Sequence, residues 1–106
     1  MIGKQISAEE LEILIKEGLK DSIVVDVRTS EECEKGVISG AINIPLNQIL
    51  NKVEILRPYK NIYLYCLSGG RSQLALAQLT GTGLTDEIYS LTSGLLAWRK
   101  QGFPLI

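Results

Sequence analysis

Short apolar segments alternate with amphipathic segments along this chain of 106 residues. Two of the apolar segments, SIVVDV and NIYLYC, contain no alternation with polar residues, which is typical of strands covered on both faces of a sheet. Two further segments, AINIP and EIYSL, also have the composition of strands. The predicted strands, in chain order, are residues 22–27, 41–45, 61–66 and 87–91.

Helical periodicity and capping signals fill the intervals around these strands. Ser7 with Glu10, and Thr29 with Glu32, have the spacing of a capping box, and a glycine follows each of these two helical segments. Apolar residues recur at helical spacing in the other intervals. The predicted helices are residues 7–17, 29–35, 46–56, 72–81 and 93–102.

Strands that alternate with helices throughout a chain predict right-handed crossovers between parallel strands, with helices on both faces of the sheet. The expected fold class is therefore α/β, a three-layer α/β/α arrangement around a central parallel sheet. The chain shows no internal repeat, linker or low-complexity segment. Residues 1–106 are thus predicted to form one domain, which is large enough for a hydrophobic core.

Composition limits the classes of function. With 45% hydrophobic and 22% charged residues the chain resembles an average globular protein, and its net charge of -1 gives no basic footprint for nucleic acid. No segment approaches the roughly 20 apolar residues of a membrane span. The start of the chain lacks the apolar core of a signal peptide, so a cytoplasmic location is expected, in which Cys33 and Cys66 stay reduced.

The absence of histidine removes several kinds of chemistry. Neither Ser-His nor Cys-His catalytic pairs can form, and without histidine or a C-x-x-C motif zinc and c-type haem sites are not expected. We therefore predict no metal and no cofactor. A nucleophile in this chain must be activated by some other group.

The segment YCLSGGRS contains the strongest candidate for chemistry. Cys66 ends a predicted buried strand and is followed by the start of a helix, where ligands bind in open parallel sheets and where the helix N-terminus favours a thiolate. Gly69 and Gly70 allow a tight loop whose amides form an anion-binding nest, and the Arg71 guanidinium could bind an oxyanion. We call residues 66–72 the cysteine loop.

Such a loop suits attack on an electrophilic sulfur or phosphorus atom that carries negative oxygens. Two simpler interpretations remain open from the residues alone. Cysteine is among the most buried residue types, so Cys66 could be a packing residue. The Gly-Gly-Arg-Ser segment could also form a phosphate-binding turn without a reactive thiol.

Over nearly its whole length the chain resembles the single-domain rhodaneses, members of the thiosulfate sulfurtransferase family. The segment VVDVRTSEECEKGVISGAINIP resembles the first signature of that family, with Asp-x-Arg after one strand and Gly-Ala-x-Asn-x-Pro at the next. YCLSGGRS matches its active-site loop, Cys-x-x-Gly-x-Arg-Ser, and LTSGLLAWRKQGFPL matches its closing segment. Three motifs in order are more specific than one.

The resemblance implies a mechanism. Cys66 would take a sulfane sulfur from a donor such as thiosulfate, become a persulfide, and pass the sulfur to an acceptor such as cyanide or a thiol. Arg71 would face the oxyanion of the donor. The amides that would cradle the persulfide belong to Leu67, Ser68, Gly69, Gly70, Arg71 and Ser72. The expected partners are small-molecule donors and acceptors, with a protein possible in either role, and the expected state is a monomer.

Three positions depart from the family pattern. Val37 stands where histidine is common, and Ser93 replaces the first of two glycines. Leu67 occupies a position that is often arginine, which should weaken attraction for a dianion such as thiosulfate.

Two other functions compete with this interpretation. A cysteine-dependent phosphatase or arsenate reductase has a similar fold, but four residues separate Cys66 from Arg71 where the phosphatase signature has five. A non-catalytic regulatory domain is also possible, although such domains commonly lose the loop cysteine, and a sulfur carrier for a partner protein lies between these classes.

Four residues outside the cysteine loop have structural interpretations. Asp26 and Arg28 lie two apart on a strand, hence on one face, and are expected to form an ion pair near the loop. Cys33 is expected to pack as a small hydrophobic residue, with a role in resolving an oxidised Cys66 as the alternative. Trp98 is expected to fill the core beneath the last helix.

Overall fold

The computed structural model describes residues 4–106, which contain a five-stranded sheet. All neighbouring strands are parallel, and their order across the sheet is β1-β5-β4-β2-β3. The strands are β1 (Lys4–Ile6), β2 (Ser22–Asp26), β3 (Ile42–Asn43), β4 (Asn61–Tyr65) and β5 (Glu87–Leu91). The predicted α/β class with a central parallel sheet is confirmed.

Helices connect the strands. They are α1 (Ala8–Lys16), α2 (Ser30–Cys33), α3 (Val53–Leu56), α4 (Gly70–Thr80) and α5 (Gly94–Lys100), with a 3₁₀ helix at Leu46–Lys52. Both predicted capping boxes are present, since the Ser7 and Thr29 side chains accept from the amides of Glu10 and Glu32, whose carboxylates accept in return.

Two hydrophobic clusters cover the two faces of the sheet. On one face, α4, α3 and the 3₁₀ helix pack on alternate residues of β2 and β4, such as Val25 and Leu64. On the other face, α1 and α5 pack on the intervening residues, such as Val24 and Tyr65. Trp98 belongs to this second cluster, where its ring meets Phe103 edge to face, as expected of a core residue.

The structure corrects several element boundaries. Residues 46–56 form a 3₁₀ helix followed by a single α-helical turn, instead of one α-helix, and the strand predicted at 41–45 is only two residues long. Helix α4 begins at Gly70, two residues before the predicted start. Strand β1 was not predicted, because at this sheet edge only Ile6 is buried and three residues are too few to show alternation.

A close contact joins α5 to the backbone that follows β4. The amides of Leu95 and Leu96 donate to the carbonyls of Cys66 and Leu67, at 3.0 and 3.1 Å. Gly94 precedes them with φ 53°, and a Cβ atom added there would lie 2.3 Å from the Cys66 carbonyl oxygen. The first turn of α5 can therefore approach the cysteine loop only with glycine at this position.

We expect Gly94→Ala to lower the free energy of unfolding by roughly 2–4 kcal/mol, because the new methyl group overlaps backbone atoms that cannot rotate away. Gly81→Ala is the matched control, since Gly81 has φ -83° and nothing lies within 4 Å of its added Cβ. Urea unfolding of both variants measures the difference. Equal stability of the two variants would contradict the proposed packing constraint.

Candidate active site

Cys66 lies at the carboxyl end of β4 with its sulfur at the N-terminus of α4. The amide of Gly69 donates to Sγ at 3.1 Å, and the amide of Ser72 donates at 3.4 Å. The residue is only 1% exposed, so these donors act where little water competes with them. The sulfur thus occupies a position that stabilises a negative charge.

Gly69 gives the cysteine loop its shape. Its φ of 106° is a left-handed conformation that other residues rarely adopt, and it turns the chain directly into α4. The position of an added Cβ would be 3.4 Å from the Ser93 amide nitrogen, so the loop also packs closely against the start of α5. The first turn of a helix leaves amides without intrahelical acceptors. In α4 the Ser72 amide donates to the sulfur, and in α5 the amides of Leu95 and Leu96 donate to carbonyls of the loop.

A buried pair of hydroxyl groups lies beside the sulfur. Ser72 Oγ is 3.7 Å from Cys66 Sγ, donates to the Gly69 carbonyl at 3.1 Å, and is 2.6 Å from Ser90 Oγ on β5. Both serines are fully buried. Ser90 therefore holds the Ser72 hydroxyl in place and links the start of α4 to the sheet.

The Arg71 guanidinium is already bound by a carboxylate of the same chain. Its Nη1 and Nη2 donate to Glu32 Oε1 and Oε2, at 2.6 and 2.9 Å. These hydrogen bonds raise the pKa of Arg71 and lower the pKa of Glu32 to about 2. The sequence indicated Arg71 as an anion ligand but assigned Glu32 only a capping role.

Asp26 and Arg28 form the expected ion pair. Arg28 Nε and Nη2 donate to the Asp26 carboxylate, and Nη2 also donates to the Gly36 carbonyl at 2.7 Å. Both residues are buried, and the Asn43 side-chain amide donates to the backbone carbonyls of both. The pair ties β2 to the chain after α2, so its role is structural.

Cys33 is half-buried in α2 and is a free thiol, as Cys66 is. Burial and the nearby Asp26 carboxylate raise the pKa of Cys33 to about 11. The thiol is therefore protonated near neutral pH and is a weak nucleophile. A protonated thiol is poorly suited to resolving an oxidised Cys66.

The other residues of the cysteine loop contribute backbone more than side chain. Leu67 and Ser68 are exposed, and the Leu67 carbonyl is bound by α5. Beside Arg71 lies an open cleft of about 430 Å³, and among the described residues that line it Arg71 is the one with a charge. The other residues that line it are Val27, Thr29, Pro45, Leu46, Asn47 and Gln78.

Within residues 4–106, no helix combines the length and the apolar character needed to cross a membrane. The same residues contain no group of three or more histidine, cysteine, aspartate or glutamate side chains placed to bind a metal ion.

Comparison with known proteins identifies the family of this chain. Residues 7–101 match the sequence model of the rhodanese-like domain. A sulfurtransferase of Allochromatium vinosum is 31% identical over 87 residues, which cover 82% of this chain and 80% of that protein.

Solved structures share the fold. A Rhodopseudomonas palustris protein of unknown function, named a possible tyrosine phosphatase, is 26% identical with a TM-score of 0.92, over 98% of this chain and 85% of that one. A rhodanese-related protein of Thermoplasma volcanium is 33% identical with a TM-score of 0.83, over 97% of each chain. The family match and the sulfurtransferase relative support sulfur transfer in general, and the chain belongs to the rhodanese-like domain family.

Proposed function

We propose that this protein is a sulfurtransferase that carries sulfur on Cys66. Its sulfane donor is a small molecule such as thiosulfate, and its acceptor is a thiophile such as cyanide or a thiol. The observation that supports this function best is the position of Cys66 Sγ, which accepts hydrogen bonds from the amides of Gly69 and Ser72 at the start of α4. A cysteine placed only for packing needs no such donors.

The reaction has two displacement steps. The Cys66 thiolate attacks the outer sulfur of thiosulfate, a new S–S bond forms, and the electron pair of the broken bond leaves with sulfite. Cyanide then attacks the outer sulfur of the persulfide, thiocyanate leaves, and the Cys66 thiolate returns. The electrons balance within donor and acceptor, so the cycle needs no redox cofactor.

The site lowers the energy of both sulfur anions. In the thiolate and in the persulfide, negative charge lies near the N-terminus of α4, where backbone amides point toward it. These amide hydrogen-bond donors are fixed in place before the reaction, because α4 and the contact with α5 hold the cysteine loop.

A phosphatase is the second candidate, favoured by the name of the Rhodopseudomonas palustris structure. The geometry argues against it, because Glu32 binds both terminal nitrogens of the guanidinium that a phosphate would need. Incubation with p-nitrophenyl phosphate distinguishes the two functions. Turnover that is lost in Cys66→Ser would support the phosphatase and contradict the proposed function.

We expect reduced wild-type protein to gain the mass of one sulfur atom after exposure to thiosulfate, and to lose it after a cyanide wash. Cys66→Ser should gain nothing, because it lacks the nucleophile. Cys33→Ser is the matched control and should gain sulfur like the wild type, since the high pKa of Cys33 keeps that thiol protonated. Intact-protein mass spectrometry measures all three. Sulfur on Cys66→Ser would overturn the assignment of the nucleophile.

We expect Ser72→Ala to slow sulfur loading by about fivefold, because it replaces the hydroxyl group 3.7 Å from Cys66 Sγ with a methyl group and makes the surroundings of the sulfur anion less polar. Ser90→Ala breaks the same buried hydrogen bond but leaves the Ser72 hydroxyl beside the sulfur. Both variants should lose roughly 1–3 kcal/mol of stability, whereas only Ser72→Ala should load slowly. Stopped-flow loading rates and urea unfolding separate the two effects. Equal rates in both variants would show that Ser72 acts only through stability.

A further inference from the structure

The positive charge beside Cys66 is neutralised by a carboxylate of the same chain. Arg71 is the one cation of the cysteine loop, and Glu32 binds both of its terminal nitrogens. The two side chains are about one third exposed, at 35% and 33%, so the pair lies at the surface where an incoming donor meets it. A donor oxyanion that approaches Arg71 therefore meets a carboxylate at the same place.

The Glu32 carboxylate is held in position by Thr29 as well as by Arg71. Glu32 is the third residue of α2 and closes its capping box, so its Oε1 also accepts from the Thr29 amide at 3.1 Å and from the Thr29 hydroxyl at 3.2 Å. The Arg71 hydrogen bonds, aided by those from Thr29, hold the pKa of Glu32 at about 2. The carboxylate is thus negatively charged at every ordinary assay pH.

The described residues around the sulfur offer a dianion little compensation. Leu67, the residue after the nucleophile, is uncharged and 36% exposed. In the adjoining cleft, Arg71 is the one cationic lining residue. Arg28 is buried against Asp26. The backbone amides of the cysteine loop stabilise one negative sulfur. None of the side chains named here supplies an unpaired positive charge for the second negative charge of a dianion.

We propose that Glu32 is a positioning residue that determines donor specificity by masking the charge of Arg71. The site then favours sulfane-sulfur donors with a single negative charge over the dianion thiosulfate. This inference rests on the proposed function, because it concerns the donor of that same reaction.

Sulfur transfer from a singly charged donor to Cys66 balances in the same way as transfer from thiosulfate. The Cys66 thiolate attacks the outer sulfur of a thiosulfonate, R–SO₂–S⁻, and an S–S bond forms to Sγ. The donor S–S bond breaks, and its electron pair leaves with the sulfinate R–SO₂⁻. Two single charges enter and two leave, whereas thiosulfate brings a second charge beside Glu32.

The test compares two donors that break the same type of bond, thiosulfate and methanethiosulfonate. We expect the wild type to load sulfur from methanethiosulfonate with a kcat/KM about tenfold or more above that for thiosulfate. Glu32→Gln should raise the value for thiosulfate about tenfold and change the value for methanethiosulfonate about threefold or less. Glutamine keeps an oxygen that can accept the capping-box hydrogen bond, but its amide nitrogen cannot accept from Arg71 Nη2, so the negative charge and one Arg71 hydrogen bond are removed together.

Glu54→Gln is the matched control. Glu54 is also bound by two nitrogens of one arginine, Arg57, but it lies on α3, outside the cysteine loop and the cleft. The Glu54→Gln substitution removes the same unit of charge and should leave the ratio of kcat/KM for the two sulfur donors unchanged. A general effect of net charge would shift both variants alike and would overturn the role of Glu32.

Leu67→Arg is a second variant that adds a cation without disturbing α2. It should raise kcat/KM for thiosulfate more than for methanethiosulfonate, and the gain should shrink as salt is added. A wild type that prefers thiosulfate, or a Glu32→Gln variant with an unchanged donor ratio, would overturn the inference alone. Failure of both donors to load sulfur on Cys66 would overturn the proposed function as well.

Discussion

The contact between the start of α5 and the backbone after β4 is the constraint on which the candidate site depends. Two α5 amides bind the carbonyls of Cys66 and Leu67, and the approach is so close that Gly94 has no room for a side chain. Cys66 therefore ends a strand, accepts a hydrogen bond from another helix, and presents its sulfur to α4. Each role restricts the backbone of the residue that carries the sulfur.

The arrangement separates two kinds of electrostatic stabilisation. Backbone amides of Gly69 and Ser72 act on the sulfur itself, in a buried place where water does not weaken them. The charged side chains are satisfied elsewhere, Arg71 by Glu32 and Arg28 by Asp26. Sulfur chemistry at Cys66 thus relies on fixed dipoles, while side-chain charge controls what can approach.

Sequence patterns predicted the features that arise from local interactions. Buried strands, both capping boxes, and the position of Cys66 between a strand and a helix depend on residues close together in the chain. The Arg71–Glu32 pair was missed because its members lie 39 positions apart in the chain, and the capping box already accounted for Glu32. The close approach at Gly94 was also missed, because only tertiary packing shows which atoms a side chain would meet.

A site built mainly from backbone amides does not by itself select among sulfur donors. Amides at a helix N-terminus are present whatever side chains the loop carries, so they stabilise a sulfur anion without selecting among donors. Selection must then come from side chains at the rim, where Leu67 is exposed and Glu32 meets Arg71. Substitutions at such positions leave the strand, the cysteine and the helix unchanged. Donor preference can therefore change within this fold without any change in the step at sulfur.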